Sequence, residues 1–388
     1  MRDLRYGGML AGKKELDAIM RSVKKSIKSG NWQAGTEARK MAQEAAKFLG
    51  VRCGELTTSG SCAGLLALSA LELEAGSEVI IPAVTFPTIF NIILQCGLVP
   101  VVVDCEIETY NLNPDLIESA ISKKTKAIIA VHAVGNPCDM PKIMRIAKKH
   151  KLYVIEDNCD GWGSTIANKK VGSFGDISIT SFHAAHIVSM GVGGGVFTNN
   201  KALSEKVRIY RDWGRQANTT APNKYKEIPS DYNPRFIYEK IGYNFQILEL
   251  QAAMGRVQLK KAKAIKTARQ HNANYLINGL FDFPLVLPHT VRGADVCWFA
   301  LPLTCGKGTR AKLVPFLEKH GIETRSMFSG NICAHPAYAK SKYIISGKLT
   351  NAEYIMKESF WLTVHPRLTK SDLDYMIDVF KKFYARAT

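Results

Sequence analysis

The side chains best suited to chemistry stand in two short segments, each of which directly follows an apolar run. Residues 154–160 have the sequence VIEDNCD, and residues 180–186 have the sequence TSFHAAH. One carboxylate of the first segment, if buried, could pair with a protonated ring nitrogen, since a buried charge needs a partner. His183 and His186 carry imidazoles, which exchange protons near neutral pH. Structural alternatives stay open, because an aspartate also caps loops and a histidine also lies satisfied in a core.

A third segment, residues 58–63 with the sequence TSGSCA, precedes an apolar helix and could bind an anion. Gly60 permits close approach of the backbone, and the free N–H groups at a helix start favour negative charge. A serine at this point also caps a helix without any ligand. Phe86, in the segment PAVTF at 82–86, places an aromatic ring at a strand end, where most such rings are core. The glycine run at 191–195 leads into VFT rather than a helix, which excludes a dinucleotide fingerprint.

Short apolar runs that alternate with amphipathic stretches between residues 50 and 200 predict an α/β fold with a mostly parallel sheet. The predicted strands are 78–81, 99–103, 127–131, 152–155, 177–181 and 195–198, and the predicted helices are 62–73, 90–96, 114–121 and 140–149. In such sheets ligands bind beyond the carboxyl ends of the strands. We therefore look for a site where the polar segments described above meet.

The rest of the chain predicts a second, smaller α/β domain. A helix at 201–213 is followed by a long polar loop at 215–234 and by a helix at about 248–268. After Gly279 come strands separated by prolines, a helix at 310–320 and a last helix from Ser371. We expect an N-terminal segment that packs on the small domain, a large domain and a small C-terminal domain, with bounds 1–35, 36–255 and 256–388.

Composition narrows the class of protein. Of the 388 residues 46% are hydrophobic and 22% are charged, as in ordinary globular domains. Nine scattered cysteines without a CxxC pair predict neither a disulfide framework nor a zinc site. Without a signal peptide or an apolar run long enough to span a bilayer, we expect a cytoplasmic protein that binds no membrane. The net charge of +18 comes from dispersed lysines, which argues against nucleic acid. These lysines either solvate surface helices or attract a diphosphate substrate.

The motifs together resemble the DegT/DnrJ/EryC1/StrS family of sugar-nucleotide aminotransferases over nearly the whole chain. They are TSGS, IPAVTF, VGNP (134–137), EDNCD, GSFGD (172–176), SFHAAH, RDWGR (211–215), GYN (242–244), QAA (251–253) and HPRLT (365–369). The resemblance implies the fold type I of pyridoxal phosphate (PLP)-dependent transferases, which is aspartate-aminotransferase-like. It also implies a homodimer with shared active sites.

The resemblance implies roles for individual residues. His186 stands where the family carries the lysine that binds the cofactor, and Asp157 is the expected partner of the pyridine nitrogen. The other predicted cofactor-binding residues are Phe86 stacked on the ring, Asp160 near its phenolic oxygen, Gly60, Ser61 and Ser181 around the phosphate, His183, and Asn244 from the partner subunit.

A histidine at position 186 is typical of the family's 3-dehydratase branch. The segments GNPCDM, EDNCDGWGS and ETRSMFSGN are similar to members that hold an iron–sulfur cluster, and Cys159 matches their first cluster ligand. The other ligands lie in the loop after RDWGR, but residues 215–234 contain no cysteine. Because such a cluster needs about four thiolates, we predict no cluster and no other metal. Val192 is a second departure, since the family usually has glutamate there.

These features predict a 3-dehydratase of a nucleotide-linked 4-keto-6-deoxyhexose, as used in making lipopolysaccharide O-antigen. Imidazole cannot hold the cofactor covalently, so pyridoxamine phosphate (PMP) or PLP is expected to bind non-covalently. Histidine, with an ordinary pKa of about 6.5, suits a general base. Asp157 would keep the ring nitrogen protonated, and glutamate is the expected amino donor. Two alternatives stay open: epimerisation or ketoisomerisation on the same cofactor, and a catalytically inert partner subunit.

Overall fold

Ten helices and fifteen strands are found in the part of the chain that the structure, a computed structural model, describes: residues 4, 8–216 and 225–385. The helices are α1 (Lys13–Ser29), α2 (Thr36–Leu49), α3 (Gly60–Leu71), α4 (Pro87–Gln95), α5 (Met140–His150), α6 (Lys201–Arg211), α7 (Glu249–Leu280), α8 (Arg310–Lys319), α9 (Thr350–Glu358) and α10 (Lys370–Tyr384). The strands are β1 (Cys53–Thr57), β2 (Glu78–Pro82), β3 (Val99–Val103), β4 (Thr125–Val131), β5 (Tyr153–Asp157), β6 (Thr165–Ile166), β7 (Lys169–Lys170), β8 (Ile177–Ser181), β9 (Gly194–Thr198), β10 (Leu285–Val286), β11 (Ala294–Asp295), β12 (Ala300–Cys305), β13 (Thr324–Ser326), β14 (Ile344–Ser346) and β15 (Ser359–Thr363).

The central sheet has eight strands in the order β1-β9-β8-β5-β4-β2-β3-β14. Neighbours from β8 to β14 pair in parallel, whereas β9 is antiparallel to both β8 and β1. Val79 and Ile81 of β2 pack into one apolar cluster and Ile80 into another, so both faces of the sheet are covered. Such two-sided burial is typical of parallel sheets with helices on both faces. The predicted α/β fold with a mostly parallel sheet is confirmed.

All six predicted strands form within two residues of their predicted ends, because each is an apolar run that the sheet buries. The predicted helix at 114–121 is wrong. Two 3₁₀ turns, Pro114–Leu116 and Glu118–Ala120, occupy that segment, and the Asn113 side chain caps the first of them by accepting from the Asp115 amide. The predicted helix at 248–268 extends to Leu280, since its buried side chains continue at intervals of three and four residues.

The C-terminal part of the chain forms a four-stranded antiparallel sheet in the order β10-β12-β15-β13. Helices α8 and α10 pack on it around a core that includes Leu303, Phe360 and Phe380. β14 lies outside this unit and pairs with β3 at the edge of the central sheet. At the other end of the chain, the Leu4 amide donates to the Gly321 carbonyl (2.9 Å). The predicted domain bounds at 35 and 255 stay a prediction, and α7 runs unbroken across residue 255.

The 32-residue helix α7 connects the central sheet to the C-terminal sheet, and helices α1 and α2 pack against it. Its first residue, Glu249, is buried and accepts hydrogen bonds from the backbone amides of Gly35 (2.9 Å), Glu37 (2.9 Å) and Ala38 (3.0 Å). These amides lie at the start of α2 and would otherwise have no helical partner. Within the described ranges, neither α7 nor any other helix combines the length and apolar character that crossing a bilayer requires.

We expect Glu249→Gln to destabilise the fold by about 1–3 kcal/mol. The side-chain NH₂ of glutamine would replace a carboxylate oxygen that accepts backbone hydrogen bonds, so at least one buried N–H would lose its acceptor. The measurement is the midpoint of urea unfolding followed by circular dichroism. Glu353→Gln is the control, since Glu353 is exposed on α9. If both variants unfold at the midpoint of the unmodified protein, the Glu249 carboxylate does not stabilise α2.

Candidate active site

A cavity of about 840 Å³ opens where the parallel strands of the central sheet end. Its walls come from segments that end or follow β2, β4, β5 and β8, from the start of α3, and from the C-terminal part of the chain. The polar and aromatic lining residues are Ser59, Gly60, Ser61, Phe86, Thr88, His132, Asp157, Cys159, Asp160, Ser181, His183, His186, Phe299, Arg325, Ser326, Phe328, Ser329, His335 and Trp361. This is the edge at which parallel sheets bind their ligands.

His186 lies in the turn after β8 and lines this cavity with 15% of its side chain exposed. The turn closes on itself, because the His186 amide donates to the His183 carbonyl (3.0 Å). Phe182, Ile187 and Val188 flank the histidine and are almost fully buried in a neighbouring apolar cluster. With its neighbours anchored in the core, the imidazole is left as the side chain that faces the cavity.

Asp160 is the charged neighbour of His186. Its Oδ1 atom lies 3.4 Å from the His186 Nδ1 atom, slightly beyond the usual hydrogen-bond range. Among the described residues, the buried Nδ1 of His186 and the buried Oδ2 of Asp160 have no hydrogen-bond partner. The pair therefore keeps hydrogen-bonding capacity that faces a cavity, as a site for a polar ligand requires.

Asp157 is the last residue of β5, and its buried carboxylate accepts a hydrogen bond from the Cys159 amide (3.1 Å). Burial raises the pKa of the Asp157 carboxyl above its ordinary value, because desolvation disfavours the charged form. Burial likewise raises the pKa of the Cys159 thiol. A carboxylate in this position gains most from a cationic partner in the cavity, and a protonated ring nitrogen is such a partner.

His132 and Glu156, which sequence reasoning missed, are buried next to Asp157 and fix the end of β5. His132 Nδ1 accepts from the Cys138 amide (3.1 Å), so its Nε2–H donates to Glu156 (3.1 Å). Glu156 also accepts three hydrogen bonds of 2.7 Å from the amides of the loop at 172–175. The His132 amide in turn donates to the Asp157 carbonyl (3.1 Å), which holds the strand end in place.

The start of α3 forms a cradle suited to an anion. The Ser59 hydroxyl caps the helix by accepting from the Cys62 amide (3.1 Å), and Ser61 contacts Thr88 through their hydroxyls (2.8 Å). β9 approaches so closely that a Cβ on Gly194 would overlap the Ser59 carbonyl and lie 2.7 Å from the Gly60 nitrogen. The α3 amides thus face an opening that side chains do not fill, at the positive end of the helix dipole.

Of the Phe and Trp rings that line the cavity, Phe86 and Phe299 come from different parts of the chain. Phe86 precedes α4 and is 57% exposed, which is unusual for a phenylalanine. It is placed to stack on a planar ligand. Phe299, which follows α7 in the chain, packs its ring 5.3 Å from the His186 ring.

The C-terminal part supplies cavity residues that sequence reasoning also missed. Arg325 and Ser326 end β13, and Ser329 donates its hydroxyl to the Thr85 carbonyl (2.6 Å). His335 then donates its Nε2–H to the Ser329 carbonyl (2.7 Å). The only signal for Arg325, Ser326 and Ser329 is the segment ETRSMFSGN at 323–331, which supported the family resemblance without indicating contact with the sheet edge, and His335 lies outside that segment.

Eight of the nine predicted site residues line the one cavity: Gly60, Ser61, Phe86, Asp157, Asp160, Ser181, His183 and His186. Their individual roles stay predictions. Asn244 lies elsewhere, exposed beside Asp212, with which it forms a β-bridge. That placement agrees with a role toward another subunit, which this single chain does not test.

Comparison with known proteins finds a matching family model, similar sequences and similar folds. A family model described as the DegT/DnrJ/EryC1/StrS aminotransferase family matches residues 13–381. A dTDP-4-dehydro-2,6-dideoxy-D-glucose 3-dehydratase of Saccharopolyspora spinosa is 39% identical over 377 residues, which cover 92% of this chain and 82% of that protein.

Two solved structures are also similar. An Escherichia coli GDP-4-keto-6-deoxy-D-mannose-3-dehydratase with bound hydrated PLP has a TM-score of 0.89 and 28% identity, covering 97% of this chain and all of that one. A GDP-4-keto-6-deoxymannose-3-dehydratase with a trapped PLP-glutamate geminal diamine has a TM-score of 0.87 and 28% identity, covering 96% and 98%. The predicted fold type I is confirmed, and the chain belongs to the DegT/DnrJ/EryC1/StrS aminotransferase family.

Proposed function

We propose that this protein is a PMP/PLP-dependent 3-dehydratase of a nucleotide-linked 4-keto-6-deoxyhexose, with His186 as its proton-transfer residue. The observation that carries the proposal is an imidazole in the cavity, 3.4 Å from Asp160, where the family carries a lysine. No lysine of the described residues lines the cavity. An aminotransferase needs that amine, whereas an elimination needs a base that can also protonate a leaving group.

The cavity fits the cofactor that the family implies. The α3 amides with Gly60, Ser61 and Ser181 would hold its phosphate, Phe86 would stack on its ring, and Asp157 would pair with the ring nitrogen. When bound, the cofactor supplies a protonated ring that accepts electrons from the substrate. Asp157 keeps that ring protonated, because a buried carboxylate holds a proton on its cationic partner.

His186 and Asp160 would together move the proton. The neutral imidazole accepts a proton at one ring nitrogen, while Asp160 faces Nδ1 and stabilises the cation that forms. The same imidazolium then donates its proton to the C3 hydroxyl, which leaves as water. Phe299 and the buried turn around His186 exclude solvent from one side of the ring.

The expected substrate is anionic and carries a sugar. Arg325, with just over half of its side chain exposed, is a cation at the cavity mouth that suits a diphosphate. The names of the similar proteins support this substrate class, since they act on dTDP- and GDP-linked 4-keto sugars. Glutamate is the proposed amino donor, supported by the PLP-glutamate adduct in a similar structure. The cytoplasmic location remains a prediction.

A homodimer would complete the site. Near Asn244 the chain exposes large apolar side chains, including Trp213, Phe236 and Tyr238, and Ile241 is 96% exposed. An apolar patch of this kind marks an interaction surface. In such a dimer Asn244 is proposed to reach the neighbouring cavity, as the family resemblance implies.

A cluster-free site is the second part of the proposal. Cys159 lines the cavity, but no other cysteine does, and the loop at 215–234 contains none. The described residues hold no group of three or more His, Cys, Asp or Glu side chains arranged for a metal ion. We propose that the protein needs no iron to turn over.

We expect His186→Asn to lower turnover of a PMP-loaded enzyme by about 10²-fold or more, because the proton-transfer group is lost. His186→Lys should gain a covalent, borohydride-reducible bond to PLP and lose dehydration. The measurement is product mass with a panel of nucleotide-linked 4-keto-6-deoxy sugars and glutamate. His150→Asn, a surface histidine paired with Glu118, is the control and should keep full activity.

Each competing function gives a different outcome in the same assay. A 3-dehydratase releases ammonia and a product that lacks one oxygen atom. An epimerase or ketoisomerase gives a product of unchanged mass, and an inert partner subunit gives no turnover with bound cofactor. Dehydration that survives unchanged in His186→Asn would contradict the role of His186.

The second expected result concerns iron. Protein reconstituted with iron and sulfide under anaerobic conditions should bind no more iron than its Cys159→Ser variant, because a single thiolate does not hold a cluster. Iron and labile sulfide content are the measurements. Stoichiometric iron that disappears in Cys159→Ser would overturn the cluster-free proposal.

The third expected result tests the phosphate cradle. Gly194→Ala should weaken PMP binding by at least about tenfold, or about 1.4 kcal/mol, because the added methyl overlaps the Ser59 carbonyl and displaces the start of α3. Titration calorimetry measures the affinity. Gly306→Ala is the matched control, since its Cβ would lie no closer than 3.8 Å to another residue. Equal affinities for the two variants would place the phosphate elsewhere.

A further inference from the structure

Arg269 is a buried positive charge in the middle of α7. Only 5% of the residue is exposed, and within residues 8–216 and 225–385 it forms no ion pair. Its Nε has no hydrogen-bond partner, while its Nη1 donates to the Phe299 carbonyl (2.6 Å). Burial lowers the pKa of Arg269, yet a guanidinium stays protonated in proteins. A full charge is thus held inside the protein without a direct counter-ion.

Packing alone does not require a charge at this position. An unpaired buried ion destabilises a fold, and an apolar side chain of similar volume is usually tolerated as well or better. Of the neighbouring buried residues of α7, Ile265, Ala273 and Leu276 are apolar, and Asn272 is polar but uncharged. A guanidinium in this row is therefore better explained by what it does to its surroundings.

Phe299 connects Arg269 to the candidate active site. The Arg269 guanidinium lies 5.9 Å from the centre of the Phe299 ring, and that ring lies 5.3 Å from the His186 ring. The Phe299 amide donates to the Val134 carbonyl (2.9 Å), so Arg269 and Val134 hold the two sides of one peptide segment. The segment fits tightly, since a Cβ on Gly135 would lie 3.0 Å from the Phe299 nitrogen.

The charge of Arg269 also acts on titratable groups nearby. Burial, together with the charge of Arg269, lowers the pKa of His365 to about 4. Asp160, which contacts His186, is one of the groups that interact electrostatically with Arg269. In the turn itself, His183 packs its ring 6.3 Å from His186. The other titratable or charged residues lining the cavity are His132, Asp157, Cys159, Arg325 and His335.

We propose that Arg269 is a positioning residue for His186. It holds the Phe299 segment against the imidazole, and its positive charge opposes the protonation of the imidazole that the Asp160 carboxylate favours. A histidine beside a buried carboxylate tends to take up a proton and form an ion pair. As a cation, that ring cannot accept a proton from a substrate. A buried positive charge behind the pair offsets the carboxylate and favours the neutral imidazole.

The test compares two variants that both keep a hydrogen-bond donor for the Phe299 carbonyl but differ in charge. Arg269→Lys keeps the positive charge, and Arg269→Gln removes it. Histidine ring signals are followed by NMR from acid to alkaline pH in the cofactor-free protein, and the His186 signal is assigned by its absence in His186→Asn. Arg256→Gln on the same helix is the control, because Arg256 pairs with Glu37 and Glu44 away from the cavity.

We expect the His186 signal in Arg269→Gln to titrate at a pH higher by on the order of one unit, because loss of a nearby cation favours the imidazolium. Arg269→Lys and Arg256→Gln should keep the midpoint of the unmodified protein. An unchanged or lower midpoint in a folded Arg269→Gln protein would overturn the proposal. If Arg269→Gln does not fold, a midpoint that changes in Arg269→Lys overturns it instead.

The consequence for catalysis rests on the proposed function. In a PMP-loaded enzyme, the acidic limb of the kcat/KM profile of Arg269→Gln should move to higher pH by the same amount. The NMR titration does not depend on turnover, so the two proposals can fail separately. A shifted NMR midpoint without any dehydratase activity would reject the reaction and keep the role of Arg269.

Discussion

The compensation of buried negative charge is the constraint on which the rest of the site depends. Glu156, Asp157 and Asp160 lie within five residues of each other at the end of β5, and all three are buried. Glu156 is satisfied inside the protein by three backbone amides and the Nε2–H of His132. Asp157 accepts one hydrogen bond from the Cys159 amide, Asp160 Oδ2 has no partner among the described residues, and both residues line the cavity. Carboxylates with hydrogen-bonding capacity left over favour a polar or cationic ligand at this edge of the sheet.

Close backbone packing turns these charges into a defined geometry. β9 approaches the start of α3 within a distance that only glycine at position 194 allows, which fixes the helix amides beside the ends of β5 and β8. The C-terminal part closes the opposite side, where Ser329 is tied to Thr85 and Phe299 to Val134. One edge of the sheet therefore brings together the start of α3, Asp157 and His186, which the proposed function uses as an anion cradle, a partner for a ring nitrogen and a base.

The sequence alone predicted the parts of this arrangement that depend on local pattern. The buried strands are apolar runs, and β2, β5 and β8 each lead into one of the segments identified in the sequence. Because these strands are parallel, the segments that follow them meet at one edge of the sheet. It failed where contact depends on tertiary packing. The pairing of β14 with β3, the buried pair of His132 with Glu156, and the place of Arg325 in the cavity join residues that are far apart in sequence or carry no local signal. The predicted helix at 114–121 was wrong for a related reason, because helical periodicity does not distinguish an α-helix from successive 3₁₀ turns.

Under the proposed function, a histidine in place of the family's lysine changes how the cofactor is held. Without a covalent bond, the cofactor's affinity would come from the start of α3, the ring contacts and the buried Asp157, so those contacts would carry more of the binding than in a relative that uses an amine. The same substitution replaces a group that ordinarily stays protonated with one that changes charge near neutral pH. The proposed positioning residue, Arg269, lies beside the Phe299 ring that packs on His186 and does not itself line the cavity. On this view the unpaired charge of Arg269 and the imidazole of His186 belong to one electrostatic arrangement, in which a cost to the stability of α7 maintains a base at the edge of the sheet.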